Sequence, residues 1–301
     1  MMAWVLLAVT AAAGWTESAR VFEGHSQSIT AVAFSYDGQR VASGAADKEI
    51  RVWRVADGKL LHTMKGLKQG AQALAFSRDG AYLVSGDGGL ELTLWDVKTG
   101  AAIVSWQHRE PISSVLFSAD GKQVWAGGMG DLGAAYSVPE GKKLNDLTAR
   151  SLCAPRQGVD LIVGTRSGQI VVYPKADGAP KTKLSTGSHV PAVAVSADGS
   201  TVLSRDQGQN EVFVWNLSRP KEAPVKLEGH QRGLTSLAVS ADGSKAVSAS
   251  LDGSVRLWDV KKHKELSMLR GQGALFAAVS PDFKWLAVGE GRYLKLWELP
   301  Q

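Results

Sequence analysis

Two sets of residues could support chemistry, because each combines a histidine, a serine and an aspartate. Together with a tryptophan in each, they are His25, Ser43, Asp47 and Trp53, and His230, Ser248, Asp252 and Trp258. A hydroxyl, an imidazole and a carboxylate are also the parts of a nucleophilic triad. In both sets, however, serine precedes tryptophan by ten residues and aspartate precedes it by six. Recurrence at fixed spacing is typical of a repeated fold element, so we interpret both sets as structural.

A third stretch, residues 128–133, reads G-x-G-x-x-G, which is the phosphate-binding pattern of dinucleotide folds. That pattern needs a helix after it to present its N-terminus to the pyrophosphate, whereas a short strand ending at Tyr136 follows here. The sequence contains no G-x-S-x-G, H-E-x-x-H or G-x-x-x-x-G-K-[ST] motif. We therefore predict no catalytic residue, no cofactor and no metal ligand.

Asp-Gly turns recur along the chain between short apolar runs. The tetrapeptide Ser-x-Asp-Gly stands at 35–38, 77–80, 118–121, 196–199 and 240–243, with a variant, SPDF, at 280–283. Asp-Gly in this setting indicates a β-hairpin, since both residues tolerate the positive φ of a type I′ turn. Each copy therefore predicts a turn between two antiparallel strands.

An aromatic residue also ends a short strand at regular intervals. The seven aromatics are Trp53, Trp95, Tyr136, Tyr173, Trp215, Trp258 and Trp297. They are separated by 42, 41, 37, 42, 43 and 39 residues, an average of about 40.7. This spacing matches the period of a four-stranded propeller blade. The sequence therefore predicts an all-β protein with seven blades.

Two of these repeats resemble the WD-repeat family. The matching residues are EGH at 23–25 and 228–230, ASG at 42–44, VSA at 247–249, VWRV at 52–55 and LWDV at 257–260. The resemblance extends from Ala19 to the end and implies a seven-bladed β-propeller of WD repeats. It also implies that each histidine, serine, aspartate and tryptophan set forms a buried hydrogen-bonded tetrad. The other five repeats depart from the pattern and are expected to depend on apolar packing.

The last repeat lacks a fourth strand, because only four residues follow Trp297. Residues 19–23 (ARVFE) precede the first Gly-His as other strands precede later repeats. Pairing this segment with the last blade would close the ring and remove an open sheet edge. We therefore expect a propeller ring closed by an N-terminal strand.

The first 13 residues carry no charged side chain and include an apolar run ending in Ala11-Ala12-Ala13. This run is typical of a signal-peptide core with a small-residue cleavage site, although no Lys or Arg precedes it. We expect a signal peptide at 1–13, a short linker at 14–18 and the propeller at 19–301, with export to the periplasm or beyond the cell. If the leader is only fortuitously apolar, or the start is mis-assigned, the chain is expected in the cytoplasm.

The net charge of +5 comes from basic residues scattered along the sequence, and Cys153 is the single cysteine. Nucleic-acid binding would require basic residues gathered on one surface, so we do not expect it. An intramolecular disulfide is impossible, and no further apolar run predicts a membrane span in the mature chain. We expect a monomer that binds a protein or a peptide.

Loops on a rigid propeller are where recognition residues collect. The resemblance implies that channel-mouth positions lie just after the Gly-His and in the turn before the structural aspartate. The candidate channel-face residues are Ser28, Thr30, Gln72, Ser113, Arg166, Thr235 and Glu290. We predict a non-catalytic scaffold that binds a protein or peptide. The alternative is an exported propeller enzyme, a hydrolase or lyase, with its site in the central channel.

Overall fold

The Ser-x-Asp-Gly tetrapeptides form the tight hairpin turns in a computed structural model of the chain, which describes residues 15, 19–155, 161–174, 179–271 and 275–300. In the first copy the Ser35 carbonyl accepts the N–H of Gly38, whose φ is +69°. Asp37 does not take the positive φ of a type I′ turn; its carboxylate instead accepts the Ser35 hydroxyl and the Gln39 N–H. The turn is thus a type I turn followed by a left-handed glycine.

The described residues form 28 strands and no helix. Those of the N-terminal part are β1 (Arg20–Phe22), β2 (Ile29–Phe34), β3 (Arg40–Ala45), β4 (Glu49–Arg54), β5 (Leu60–Lys65), β6 (Ala71–Phe76), β7 (Tyr82–Asp87), β8 (Glu91–Asp96), β9 (Ala102–Gln107), β10 (Ile112–Phe117), β11 (Gln123–Gly128), β12 (Leu132–Ser137) and β13 (Lys143–Thr148). Those that follow are β14 (Ser151–Cys153), β15 (Leu161–Gly164), β16 (Gln169–Tyr173), β17 (Thr182–Ser185), β18 (Ala192–Val195), β19 (Thr201–Arg205), β20 (Val212–Asn216), β21 (Val225–Leu227), β22 (Leu234–Val239), β23 (Lys245–Ser250), β24 (Ser254–Asp259), β25 (Lys264–Arg270), β26 (Leu275–Val279), β27 (Trp285–Glu290) and β28 (Tyr293–Glu298).

These strands pair into seven four-stranded antiparallel sheets within the described part of the chain. Blades one to six each use four consecutive strands, beginning with β2, β6, β10, β14, β18 and β22. The first strands of neighbouring blades contact one another all the way round, from β2 through β26 and back to β2. The fold is therefore the predicted seven-bladed β-propeller.

Blade seven is completed by the N-terminal strand, as the sequence predicts. Its sheet order is β1-β28-β27-β26, with Val21 opposite Lys295. The ring of Phe22 lies 5.5 Å from that of Trp53 in blade one, so this strand also covers the neighbouring blade. The ring is closed by residues from both ends of the sequence.

The hydrophobic core is divided among the interfaces between blades. One cluster, for example, joins Val84 and Leu94 of blade two to Ile112 and Val124 of blade three. A strand that is buried on both faces loses the strict alternation of apolar and polar residues. β3 and β7, the second strands of their blades, are accordingly buried at five of their six positions.

The expected signal peptide at 1–13 lies outside the described residues, as does most of the linker expected at 14–18. Trp15 is the exception. Its side chain is buried in a cluster with Leu257 of blade six and with Leu286 and Trp297 of blade seven. At this position the expected linker thus contributes to the core.

Candidate functional site

The first tetrad is a continuous hydrogen-bonded chain across blade one. The Nδ1–H of His25 donates to the Asp47 carboxylate at 2.9 Å, and the Ser43 hydroxyl donates to Nε2 of the same ring at 2.9 Å. The indole N–H of Trp53 donates to the Ser43 oxygen at 3.0 Å. All three hydrogen bonds join buried or half-buried side chains. Each side-chain donor of the tetrad is used within it, so none is left for a substrate.

Blade six repeats this arrangement. His230 donates to Asp252 at 3.0 Å and accepts the Ser248 hydroxyl at 2.7 Å, and Trp258 donates to Ser248 at 2.8 Å. Burial raises the pKa of the Asp252 carboxyl, but hydrogen bonds from Ser254, a backbone N–H and His230 outweigh burial and hold that pKa well below its usual range. Burial lowers the pKa of His230, which favours its neutral form. The pair is therefore a carboxylate and a neutral imidazole at pH 7.

The blades that depart from the motif keep some of the hydrogen bonds of the tetrad. Trp95 donates to Ser85 at 2.9 Å in blade two, and Trp215 donates to Ser204 at 3.0 Å in blade five, both without a histidine link. In blade three the ring of His108 hydrogen-bonds the hydroxyl of Tyr136 at 2.7 Å. The aromatic side chain near the end of the third strand therefore keeps a polar partner in these blades too.

A cavity of about 320 Å³ opens at the centre of the ring, between the first strands of the blades. The residues that line it are Thr30, Ala31, Val32, Gln72, Ala73, Leu74, Ile112, Ser113, Ser114, Val115, Met129, Arg150, Pro191, Arg205, Thr235, Ser236, Phe276 and Ala277. Because every blade contributes to this lining, we take the cavity as the candidate site. No tetrad residue is part of it.

Four of the seven candidate channel residues converge on this cavity: Thr30, Gln72, Ser113 and Thr235. Two of their hydroxyls bridge neighbouring blades. Thr30 donates to the carbonyl of Ala71, and Ser113 donates to the carbonyl of Arg150 at 2.5 Å. These side chains therefore also join the first strands around the channel.

The other three candidates, Ser28, Arg166 and Glu290, lie outside the cavity lining. Ser28 is exposed, and its carbonyl accepts the N–H of Ala46. Arg166 is exposed on a turn, and its backbone N–H donates to the Asp131 carboxylate at 2.8 Å. Glu290 forms an ion pair with Lys295.

Sequence reasoning missed Arg150 and Arg205, which both line the cavity. Arg150 precedes β14 in blade four, which has neither a Gly-His nor a Ser-x-Asp-Gly turn, so the sequence gave no position from which to count. A signal for Arg205 was available in the sequence. SRD at 204–206 stands where the second strands of blades one and two read SGA at 43–45 and SGD at 85–87.

Asp206 is a buried carboxyl at the end of the same strand, with 2% of its surface exposed. Burial raises its pKa to about 6, and its hydrogen bond from Ser204 is long, at 3.3 Å. An acid whose pKa is raised on folding destabilises the native state above that pKa, and this cost disappears as the pH falls towards the unfolded value of 3.8.

Asp206→Asn is therefore expected to increase the free energy of unfolding by about 2 to 3 kcal/mol at pH 8. The gain should shrink progressively between about pH 7 and pH 4. Denaturant unfolding at several pH values measures it. Asp252→Asn serves as the control with the opposite sign: it should decrease the free energy of unfolding, because it removes a carboxylate that the fold stabilises. A gain for Asp206→Asn that does not change with pH would contradict the assignment.

Among the described residues, no group of three or more His, Cys, Asp or Glu side chains could hold a metal ion. The same residues contain no helix long and apolar enough to cross a membrane.

Comparison with known proteins agrees with this geometry. The family description "WD domain, G-beta repeat" matches residues 16–54, 58–96 and 222–259. Similar proteins include Protein groucho of Drosophila melanogaster and Transducin-like enhancer protein 2 of Mus musculus. Each is 29% identical over 196 residues, covering 60% of this chain. The matched part is about a quarter of either relative, 26% and 25% of their lengths. The seven four-stranded sheets and the three matched segments together show that the chain is a seven-bladed β-propeller that contains WD repeats.

Proposed function

We propose that this chain is a non-catalytic scaffold that binds a protein or peptide partner at the channel mouth. The observation that carries the proposal is the central cavity, to which all seven blades contribute residues. A rigid ring that presents side chains from many separate segments is suited to recognition, because the scaffold loses little conformational freedom on binding. The similarity to WD-repeat proteins supports the same function.

The distribution of polar residues also supports a scaffold. The histidines and aspartates that could act as bases or acids, His25, Asp47, His230 and Asp252, are engaged inside their blades. A general base must lie within hydrogen-bonding reach of its substrate, either directly or through one water molecule. These four side chains are absent from the cavity lining, so they are not placed to serve a substrate bound there.

The proposal is tested by capturing partners from the native organism with wild type and a Thr30→Glu, Thr235→Glu double variant. Both substitutions place a larger, charged side chain in the cavity lining. We expect the double variant to lose a partner that the wild type retains, because desolvating an unpaired carboxylate in an interface is costly.

The matched control is a Thr63→Glu, Thr182→Glu double variant. These threonines are also half-buried, but they lie on β5 and β17, the outermost strands of their blades. The control adds the same charge away from the channel, so it should keep the partner. A partner that both double variants keep would contradict binding at the channel mouth. Circular dichroism melts of both double variants verify that each is folded.

A further inference from the structure

Arg205 stands where every other blade has a residue with little or no side chain. The strand registers place it opposite Ala192, at the position taken by Gly44, Gly86, Gly127, Gly164, Ala249 and Gly289 in the other blades. A Cβ added at Gly86 would lie 2.3 Å from Cγ2 of Ile112, and one at Gly44 would lie 2.5 Å from Cβ of Ala71. Small residues therefore allow blades to pack closely there, and blade five departs from this rule with the longest cationic side chain.

Arg150 is the second departure. Its backbone N–H donates to the carbonyl of Gly164, which places it at the position of Ser113 in blade three. Where blades one, two, three and six present Thr30, Gln72, Ser113 and Thr235 to the channel, blade four presents a guanidinium. Two neighbouring blades thus each bring one arginine into the same cavity.

The two guanidinium groups are incompletely paired by the described residues. The Nε atoms of Arg150 and Arg205 are both buried without a hydrogen-bond partner. Burial, together with repulsion from Arg150, lowers the pKa of Arg205 to about 10. Burial likewise lowers the pKa of Arg150. Both arginines are half-buried, and partly desolvated cations that repel one another destabilise a fold unless an anion neutralises them.

The cavity itself supplies no anion. Arg150 and Arg205 are the only ionisable side chains among the described residues that line it. Two carboxylates outside the lining, Asp131 and Glu110, attract Arg150, but they accept backbone N–H groups of Arg166 and of Gly130. The lining of the channel therefore carries only positive charge, which an anionic ligand would neutralise.

We propose that the channel binds an acidic segment of a peptide, with an Asp or Glu side chain held between Arg150 and Arg205. This proposal rests on the proposed function and specifies the chemistry of its ligand. A carboxylate matches the planar donor fork of a guanidinium, and such charge-assisted pairs are stronger than neutral hydrogen bonds. A cavity of about 320 Å³ has room for one or a few side chains, which suits a peptide that inserts a single acidic residue.

The test uses a fluorescein-labelled peptide of ten glutamates as the probe and a ten-glutamine peptide as its neutral counterpart. Fluorescence anisotropy at near-physiological salt measures the affinity of each for the whole protein. We expect the wild type to bind the glutamate peptide and not the glutamine peptide. Arg205→Ala should weaken binding about tenfold or more, and Arg150→Met should do the same.

Arg205→Ala is chosen because Ala249 occupies the same position in blade six. Arg205→Ala removes a half-buried cation that Arg150 repels, so we expect the melting temperature of this variant to equal or exceed that of the wild type. The matched control is Arg219→Gln, which removes one positive charge from an exposed side chain. This control should bind the glutamate peptide as the wild type does.

Three results would overturn the proposal. They are equal binding of the two peptides, unchanged affinity in Arg205→Ala, and inorganic phosphate binding the channel when the glutamate peptide does not. The capture experiment separates this inference from the proposed function. If the Thr30→Glu, Thr235→Glu variant loses the partner and Arg205→Ala keeps it, the channel is the binding site but the inference of an acidic ligand is wrong.

Discussion

A chain that begins at Glu23 should lose its cooperative unfolding transition or show one at a much lower temperature. The deletion removes β1, which is the outer strand of blade seven, and leaves β28 as an unpaired edge. It also removes Trp15 and Phe22, whose side chains are 6% and 5% exposed. Burying a large apolar side chain contributes roughly 3 kcal/mol, so we expect a loss of about 5 kcal/mol or more. That is comparable with the whole stability of many domains.

The matched control moves the strand instead of removing it. Residues 15–22 are appended after Gln301 in the shortened chain, so that β1 follows β28 as the fourth strand follows the third in other blades. This permuted chain should recover most of the lost stability, measured by calorimetry and by denaturant unfolding. An unchanged thermal transition in the shortened chain would show that β1 does not close the ring.

The repeat pattern made most of the fold predictable. Aromatic residues about 40 apart and Asp-Gly turns between apolar runs predicted seven blades, and residues 19–23 contain the closing strand. The predicted turn type was wrong. The Asp37 carboxylate accepts hydrogen bonds from the Ser35 hydroxyl and the Gln39 N–H, and of the Asp-Gly pair only Gly38 takes a positive φ. Side-chain capping of this kind depends on the length of the whole loop, which the Asp-Gly pair alone does not specify.

The site was less predictable than the fold, since channel positions were located by counting from the Gly-His or from the turn before the structural aspartate. Counting from the Gly-His worked for Thr30 and Thr235, which follow intact motifs, and counting from the matching position worked for Gln72 and Ser113, since all four lie in the cavity lining. Arg150 was not located, because blade four has neither a Gly-His nor a Ser-x-Asp-Gly turn from which to count. Arg205 was overlooked because its strand was compared with others for its pattern of apolar residues and not for the glycine that packing between blades requires.

Ser248→Ala is expected to be the most destabilising single substitution among those considered. The Ser248 hydroxyl donates to Nε2 of His230 at 2.7 Å and accepts the indole N–H of Trp258 at 2.8 Å. Removing it leaves two buried polar atoms without partners, and each costs about 1 to 3 kcal/mol. We expect the free energy of unfolding to fall by about 2 to 5 kcal/mol, as measured by denaturant unfolding at pH 7.

Ser85→Ala in blade two is the matched control for this prediction. Ser85 accepts the indole N–H of Trp95 at 2.9 Å but has no histidine link, and it is fully buried like Ser248. Both substitutions remove one oxygen from a second strand, so the difference between them isolates the bond to His230. Ser85→Ala should therefore cost about half as much as Ser248→Ala. Equal losses would mean that the histidine link adds no stability, and the tetrad would then be reduced to its serine and tryptophan.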